Sequence, residues 1–374
     1  MVLRLRRAFR FDDNPALHLA WEKVGRDWRK VSVYLEIEAL GPHAERFRSV
    51  GRREFSDRLG SLGVQVLLNP PEGLTEPAVL AGGLQKEADT LFDHLPVESA
   101  RSLRSFTDFR KAICVRPVSP CVSPHPIDSP LPFPRRDPLS DSRSAFPFLG
   151  GESDALAHLR SYFSVPERVH AYKKTRNGML GVDYSSKLSP FLASGVLSVR
   201  RVWSEIEVFE QKFGSSEGSE WLKFELLWRE YFRWLAAEQG EAFYSERGAR
   251  DVDPLPAHAD VGLYHRWTSA ETGDAFVDAN LRELIVTGFM SNRGRQNVAS
   301  HLIHELRLPW QWGERFFSQM LIDSDPIQNF GNWAYLAGVG ADPRSFGGKP
   351  RKFDLVRQAE TYDPDGSYRS TWGA

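Results

Sequence analysis

The chain has 374 residues, with 48 basic against 49 acidic side chains and a formal charge of −1. That balance excludes a polyelectrolyte-type nucleic-acid coat and an acidic-tail protein. No apolar run approaches the ~18 residues of a membrane span, and nothing at the start resembles a signal peptide. Cys114 and Cys121, seven positions apart, suit neither a disulfide framework nor a zinc or iron–sulfur centre. The expectation is a soluble, cytoplasmic, globular protein of two domains.

Residues 1 to about 92 alternate β-rich runs (Val31–Ile37, Val64–Leu68) with helical stretches (Ala16–Val24, Ala44–Leu62). Alternation of this kind predicts a parallel α/β unit with crossover helices, bounded at residue 115. About three strands can be counted, few for a doubly wound sheet, so the sheet is truncated. Between Arg116 and Gly151 lie nine of the chain's 24 prolines. Proline lacks a backbone donor and fixes φ, so this stretch reads as an extended linker over the surface. From residue 152 to 374 the periodicity is helical, over Ser153–Phe163, Ser198–Phe213, Glu220–Gln239, Ala279–Val286, Ser291–Leu306 and Glu314–Ile322. This half is all-α.

Nine of the eleven tryptophans fall between Trp203 and Trp372. Large core fillers account for most of them; a Trp-dense half also suits stacking or redox work.

Four segments carry chemistry. In YKKTRNGMLGVDYSSKLSP, Ser185, Ser186, Lys187 and Ser189 precede an apolar run, Phe191–Val199. Hydroxyls and free N–H groups at a helix start make an anion site suited to phosphates; ordinary N-capping by Ser is the bland alternative. In WLKFELLWREYFRWLAAEQ, Glu225, Trp228, Arg229 and Phe232 share one helix face. A Glu225–Arg229 surface pair would be unremarkable, but the apolar neighbours favour a cavity wall. The third segment supplies Asn292, Arg293, Arg295 and Gln296, and the fourth Asp323, Asp325, Asn329, Trp333 and Tyr335. Charges beside apolar helices must be paired or ligand-bound. Asp323 and Asp325 could cap helices or bind metal, but too few acidic neighbours surround them for a metal site.

The blocks YKKTRNGMLG, YSSKLSP, FELLWREYFR, TGFMSNRGRQ, WQWGERFF, NFGNW and YDPDGSY stand in the order and spacing of the photolyase/cryptochrome family. The GFMSNRGRQ and GNWAY variants are similar to its DASH branch. The resemblance is strong over about residues 170–370; at the N-terminus RRAFRFDDNPAL resembles the family's opening strand and loop.

The resemblance implies FAD held in the helical half. Ser185, Ser186, Lys187, Leu188 and Ser189 would hold the pyrophosphate, with Tyr172 on the adenine side. Asp323 and Asp325 would bond the flavin and ribose region, and Arg295 would pair with Asp323. Asn329 would face flavin N5, and Arg229, Phe232 and Asn292 complete the cofactor set. Glu225, Trp228, Gln296 and Tyr335 would line a lesion pocket, with Arg176, Arg293 and Arg344 as phosphate contacts on its rim. Trp333 and Trp310 match the inner two indoles of the family's electron-transfer chain. A dimer inside a duplex is unreachable, so it is flipped out and read in a pocket between aromatic walls. Between Arg344 and Arg357 five basic residues and one acidic one would seat the DNA locally.

Three departures qualify the match. The N-terminal unit lacks a stretch near Glu87–Asp89 and rejoins at ADTLFDHLP, which removes the usual antenna-chromophore site. Ala257 occupies the outer indole position of the electron chain, for which Tyr264, Trp267 or Trp312 could substitute. Tyr335 replaces a Trp of the classical dimer photolyases. The implied activity is light-driven splitting of cyclobutane pyrimidine dimers in DNA by a monomer that needs no metal, with single-stranded DNA as a candidate preference. The alternatives are a cryptochrome-type photoreceptor and a flavin-dependent DNA-binding protein without photochemistry.

Overall fold

The structure is a computed structural model and describes residues 2–5, 9–36, 40–67, 90–91, 105–113, 118–121, 141–340 and 350–373. Strands β1 (Val2–Leu5), β2 (Ser32–Leu35) and β3 (Gln65–Leu67) form a parallel sheet in the order β1-β2-β3, with Leu3 opposite Val33 and Val33 opposite Val66. Helices α1 (Pro15–Lys23) and α2 (Pro42–Ser61) are the crossovers that parallel pairing requires. Leu3, Leu5, Val33 and Leu35 pack with Phe9, Phe11, Leu17, Phe55 and Leu59 into a small core of their own. The truncated α/β unit is thus present. Ile37 and Leu68, at the expected strand ends, lie outside the described residues. So do Cys114, Arg344 and most of the proline-rich stretch, whose described parts (118–121, 141–151) contain neither helix nor strand.

The second half is helical. Its elements are α3 (Phe106–Ile113), α4 (Glu152–Phe163), α5 (Pro166–Thr175), α6 (Ser189–Ser194), α7 (Val199–Phe213) and α8 (Glu217–Gln239). There follow α9 (Val261–Thr268), α10 (Ala275–Thr287), α11 (Asn292–Ser300), α12 (Trp310–Met320), α13 (Pro326–Ala337), α14 (Leu355–Tyr362) and α15 (Ser367–Trp372). Two expected helices are divided. The Phe191–Val199 run breaks because Gly195, at φ +76°, ends α6 in the left-handed conformation, and the Ser198 hydroxyl caps α7 by accepting from the Arg200 N–H at 3.1 Å. The Ser291–Leu306 run is α-helical to Ser300 and widens into a π turn over His301–Glu305.

The loop after β1 locks the two halves together. Arg10, wholly buried, donates to the Gly195 carbonyl at 2.8 Å and to the carbonyls of Asp12 and Asp13. Asp13 pairs with Arg200 at 3.0 Å and accepts from the Ser198 hydroxyl, while Asp12 receives a two-pronged bond from Arg201 at 2.6 and 2.8 Å. Buried Glu152 takes the N–H groups of Phe11 and Asp12 and pairs with Arg58. Charges this deeply buried persist only when paired and hydrogen-bonded. They fix the α6–α7 junction, and with it the serine-rich loop just before α6.

Candidate functional site

That loop forms one wall of a cleft. Its lining includes Tyr172, Arg176, Ser185, Ser186, Lys187, Leu188, Ser189, Glu225, Asn292, Arg295 and Asp323. Eleven residues chosen from sequence therefore converge on one concavity, from α5, the serine loop, α8, the start of α11 and the turn before α13. Tyr184, Phe289, Met290 and Ser291 line it too. Sequence reasoning did not single these four out, although each sits inside a quoted motif, and Ser291 caps α11 by accepting from the Gly294 N–H.

Lys187 adopts φ +54°, a left-handed conformation that costs a residue with a Cβ and turns the loop sharply. The imidazole of His158 bonds the Ser186 carbonyl at 2.8 Å and holds the turn from behind. Lys187 is 2% exposed, and burial pushes its pKa down to about 6, against weaker attraction from Glu283 and Asp183. A lysine so desolvated regains its charge when an anion arrives. Across the cleft, Arg295 donates to Asp323 Oδ2 at 2.9 Å and to the Met290 carbonyl at 3.0 Å. Asp323 Oδ1 is buried and has no hydrogen-bond partner among the described residues. An orphaned carboxylate oxygen beside a cluster of hydroxyls and an uncharged lysine is a half-made site. It fits a ligand with a diphosphate at one end and polar ring N–H groups at the other.

Glu225 stands on the same cleft wall. It does not pair with Arg229: Arg176 donates to it at 2.6 Å and the Trp221 indole N–H at 3.0 Å. Its side chain is 35% exposed. Burial raises its pKa, while Arg176 and then Trp221 pull it down. Arg176, expected on the rim, is thus turned onto Glu225. Arg293, by contrast, lies over the rings of Tyr362 and Phe353 at 4.8 and 5.6 Å.

Other expected site residues stand apart from this lining. Trp228 stacks on Phe106 of α3, centroids 3.9 Å apart and 8° from parallel, and meets Tyr335 edge to face at 6.2 Å. One indole face is therefore covered from within the chain. Arg229 pairs with Glu230 at 3.3 Å. Phe232 is buried at the α8–α13 crossing, against Gly331. Asp325 caps α13 through the N–H groups of Ile327 and Gln328 and pairs with Arg233 at 3.2 Å. Asn329 is buried, and its amide nitrogen donates to the Glu314 carbonyl and carboxylate and to the Ser318 hydroxyl, all at 2.8 Å. Gln296 Oε1 is buried without a partner. Trp333 and Trp310 are buried, Trp310 beside a second cavity that Ala257 also lines. Among the described residues no group of His, Cys, Asp and Glu could hold a metal ion, and no helix is long and apolar enough to cross a membrane.

A small parallel sheet clamped to a helical half is a fold of the photolyase kind. Residues 221–373 match the model described as the FAD binding domain of DNA photolyase. The chain belongs to the photolyase/cryptochrome family, with FAD as its main cofactor. It is 35% identical to a curated Cryptochrome DASH of Xenopus laevis over 433 aligned positions, covering 100% of this chain and 82% of that one. Those positions outnumber the chain's 374 residues, so the relative carries stretches that are absent here. Its matches to the Cryptochrome DASH proteins of Danio rerio and Gloeobacter violaceus cover 56% and 58% of their length. Among solved structures, the cryptochrome of Synechocystis sp. PCC6803 superposes with TM-score 0.83 at 32% identity, covering 100% of this chain and 88% of that one. A bacterial class III photolyase from Agrobacterium tumefaciens gives 0.78 at 26%, covering 99% and 86%.

Proposed function

We propose that the chain is a light-driven DNA photolyase that splits cyclobutane pyrimidine dimers, preferring single-stranded DNA and acting as a monomer. The observation that carries this reading is the position of Glu225. It is a carboxyl on the wall of the FAD cleft, held there by Arg176 and the Trp221 indole N–H, one helical turn before Trp228. Bound FAD, reduced and light-excited, supplies the electron that opens the cyclobutane ring and takes it back afterwards. The chain does the rest. Ser185, Ser186, Ser189 and Lys187 hold the diphosphate, Tyr172 the adenine side, and Arg295 fixes Asp323 so that its orphaned oxygen meets the ring. Asn329, its amide nitrogen bonded to Glu314 and Ser318 of α12, would offer its carbonyl oxygen to flavin N5. Glu225 can share a proton with the dimer as negative charge develops on the base, an interaction that strengthens where water is excluded. Trp228 and Tyr335 form the aromatic walls, with Gln296 beside them, and Arg293 and Arg344 contribute phosphate contacts. The divisions at 1–115, 116–151 and 152–374 belong to the same reading.

A second reading, a photoreceptor signalling through flavin photoreduction, draws support from two contacts. Phe106 covers one face of Trp228, and Arg176 occupies Glu225. Both must yield, or be shared, when a dimer enters. Oligonucleotides with and without one dimer, single- and double-stranded, separate the two. Repair predicts retention of the dimer strand in the dark and its restoration under blue light. Equal binding of both strands and no restoration supports the receptor.

A further inference from the structure

The ring contacts of Trp333 lead away from Ala257. The Trp333 ring meets Phe317 at 5.1 Å. Phe317 lies 6.5 Å from Trp267 at an interplanar angle of 19°, and Trp267 lies 6.3 Å from Tyr264 at 18°. Tyr264 packs edge to face on Trp312 at 5.1 Å, and its hydroxyl donates to the Trp312 carbonyl. The first three rings are buried, while Tyr264 and Trp312 are half-buried. A continuous file of rings thus joins Trp333 to solvent. On the other side, Trp310 meets Phe330 at 5.0 Å and borders a cavity of about 260 Å³. Pro254, Leu255, Pro256, Ala257 and Leu308, which line that cavity, offer nothing oxidisable.

We propose that electrons reach Trp333 from solvent through Trp267 and Tyr264, a branch that stands in for the outer indole absent at Ala257. The proposal rests on the flavin reading above. Trp333, having given one electron to the light-excited oxidised cofactor, takes one from Trp267 across Phe317, whose benzene ring is too hard to oxidise to hold the vacancy. The Trp267 indole N–H is buried and has no hydrogen-bond partner among the described residues, so the radical cation cannot shed its proton and stays strongly oxidising. It takes one electron from Tyr264, whose half-exposed phenol gives up its bond to the Trp312 carbonyl, releases its proton to water and becomes a neutral radical. A thiol in solution returns a hydrogen atom to Tyr264, and two thiyl radicals close to a disulfide.

Two measurements test the branch. In the FAD-loaded chain, illumination followed by freezing should trap a tyrosyl radical visible by electron paramagnetic resonance. Tyr264→Phe should remove that signal. Trp267→Phe, once circular dichroism and flavin content show an intact fold, should lower both the signal and the rate of flavin photoreduction several-fold. Tyr244→Phe is the control for the rival exit, because Tyr244 touches Phe330 and hence the Trp310 side; it should leave the radical in place. In the FAD-free chain, azide radicals made by pulse radiolysis oxidise indoles. The transfer of oxidation from tryptophan to tyrosine should lose yield in Tyr264→Phe and keep it in Tyr244→Phe. Loss of the radical in Tyr244→Phe but not Tyr264→Phe, or an intact Trp267→Phe chain that photoreduces like wild type, overturns the proposal. Failure to take up flavin sinks the flavin reading instead, and the radiolysis arm still reports on Tyr264.

Discussion

Gly313 on α12 is where the indole of Trp333 comes to rest. A Cβ at that position would stand 2.6 Å from Cζ3 and 2.8 Å from Cζ2 of Trp333, and closer still to Cη2. Carbon atoms in contact sit at ~3.5–4.0 Å, so Gly313→Ala forces the ring to move by about 1 Å or more. Trp333 is 2% exposed and packed against Phe317, which leaves little room for that movement. Overpacking a core costs ~1–3 kcal/mol, whereas Ala gains ~1 kcal/mol over Gly inside a helix. The variant should therefore be destabilised by up to about 2 kcal/mol net, keep its flavin, and photoreduce more slowly because the innermost indole is displaced. Denaturant unfolding and photoreduction kinetics on the same preparation check this. A Gly313→Ala chain more stable than wild type and equally fast in photoreduction would refute the placement of Trp333.

Trp333→Phe should block photoreduction of the oxidised cofactor, as read from its bleaching under light. Glu225→Ala should lower repair per absorbed photon while flavin content holds, whereas Trp228→Ala should weaken dimer binding by the ~1–3 kcal/mol of a lost stacking platform; titration with dimer oligonucleotides and quantum-yield measurements tell the two apart. Burial pushes Glu283 up to about 7 from the usual 4.5, so the folded chain keeps a proton that the unfolded chain has lost, and stability falls as pH rises through that window. Glu283→Gln should remove this slope and gain roughly 3 kcal/mol at pH 8 relative to wild type, seen by unfolding at several pH values. FAD uptake should carry a proton onto Lys187 and weaken as pH rises above about 6, a dependence lost in Lys187→Met and measurable by calorimetry in buffers of different ionisation enthalpy.

Much of the cleft was legible because its residues sit inside contiguous blocks whose chemistry is visible one residue at a time. Three serines around a lysine suggest an anion site from the sequence alone, although ordinary N-capping by Ser would read the same way. The pairings were not legible. Glu225 stands four residues from Arg229 yet bonds Arg176, 49 positions away, because α5 packs along α8. Phe106 of α3 stacks on Trp228 of α8 across a long stretch of sequence, a contact that helical periodicity at either site cannot foresee. The short helices α5, α9, α14 and α15 escaped for a local reason. Each has 6 to 10 residues, too few for a periodic apolar stripe to rise above its charged neighbours. Among the described residues the N-terminal unit holds three strands, the number counted from the sequence.

The central claim is most directly tested by counting dimers reversed per bound flavin. A chain loaded with FAD, chemically reduced beforehand, is mixed with a single-stranded oligonucleotide carrying one cyclobutane dimer and followed under blue light and in the dark. The account predicts reversal that grows with absorbed light, many turnovers per flavin without added reductant, and none in the dark or in the FAD-free chain. Intact dimers after illumination of a chain that holds reduced flavin and binds the oligonucleotide would contradict it.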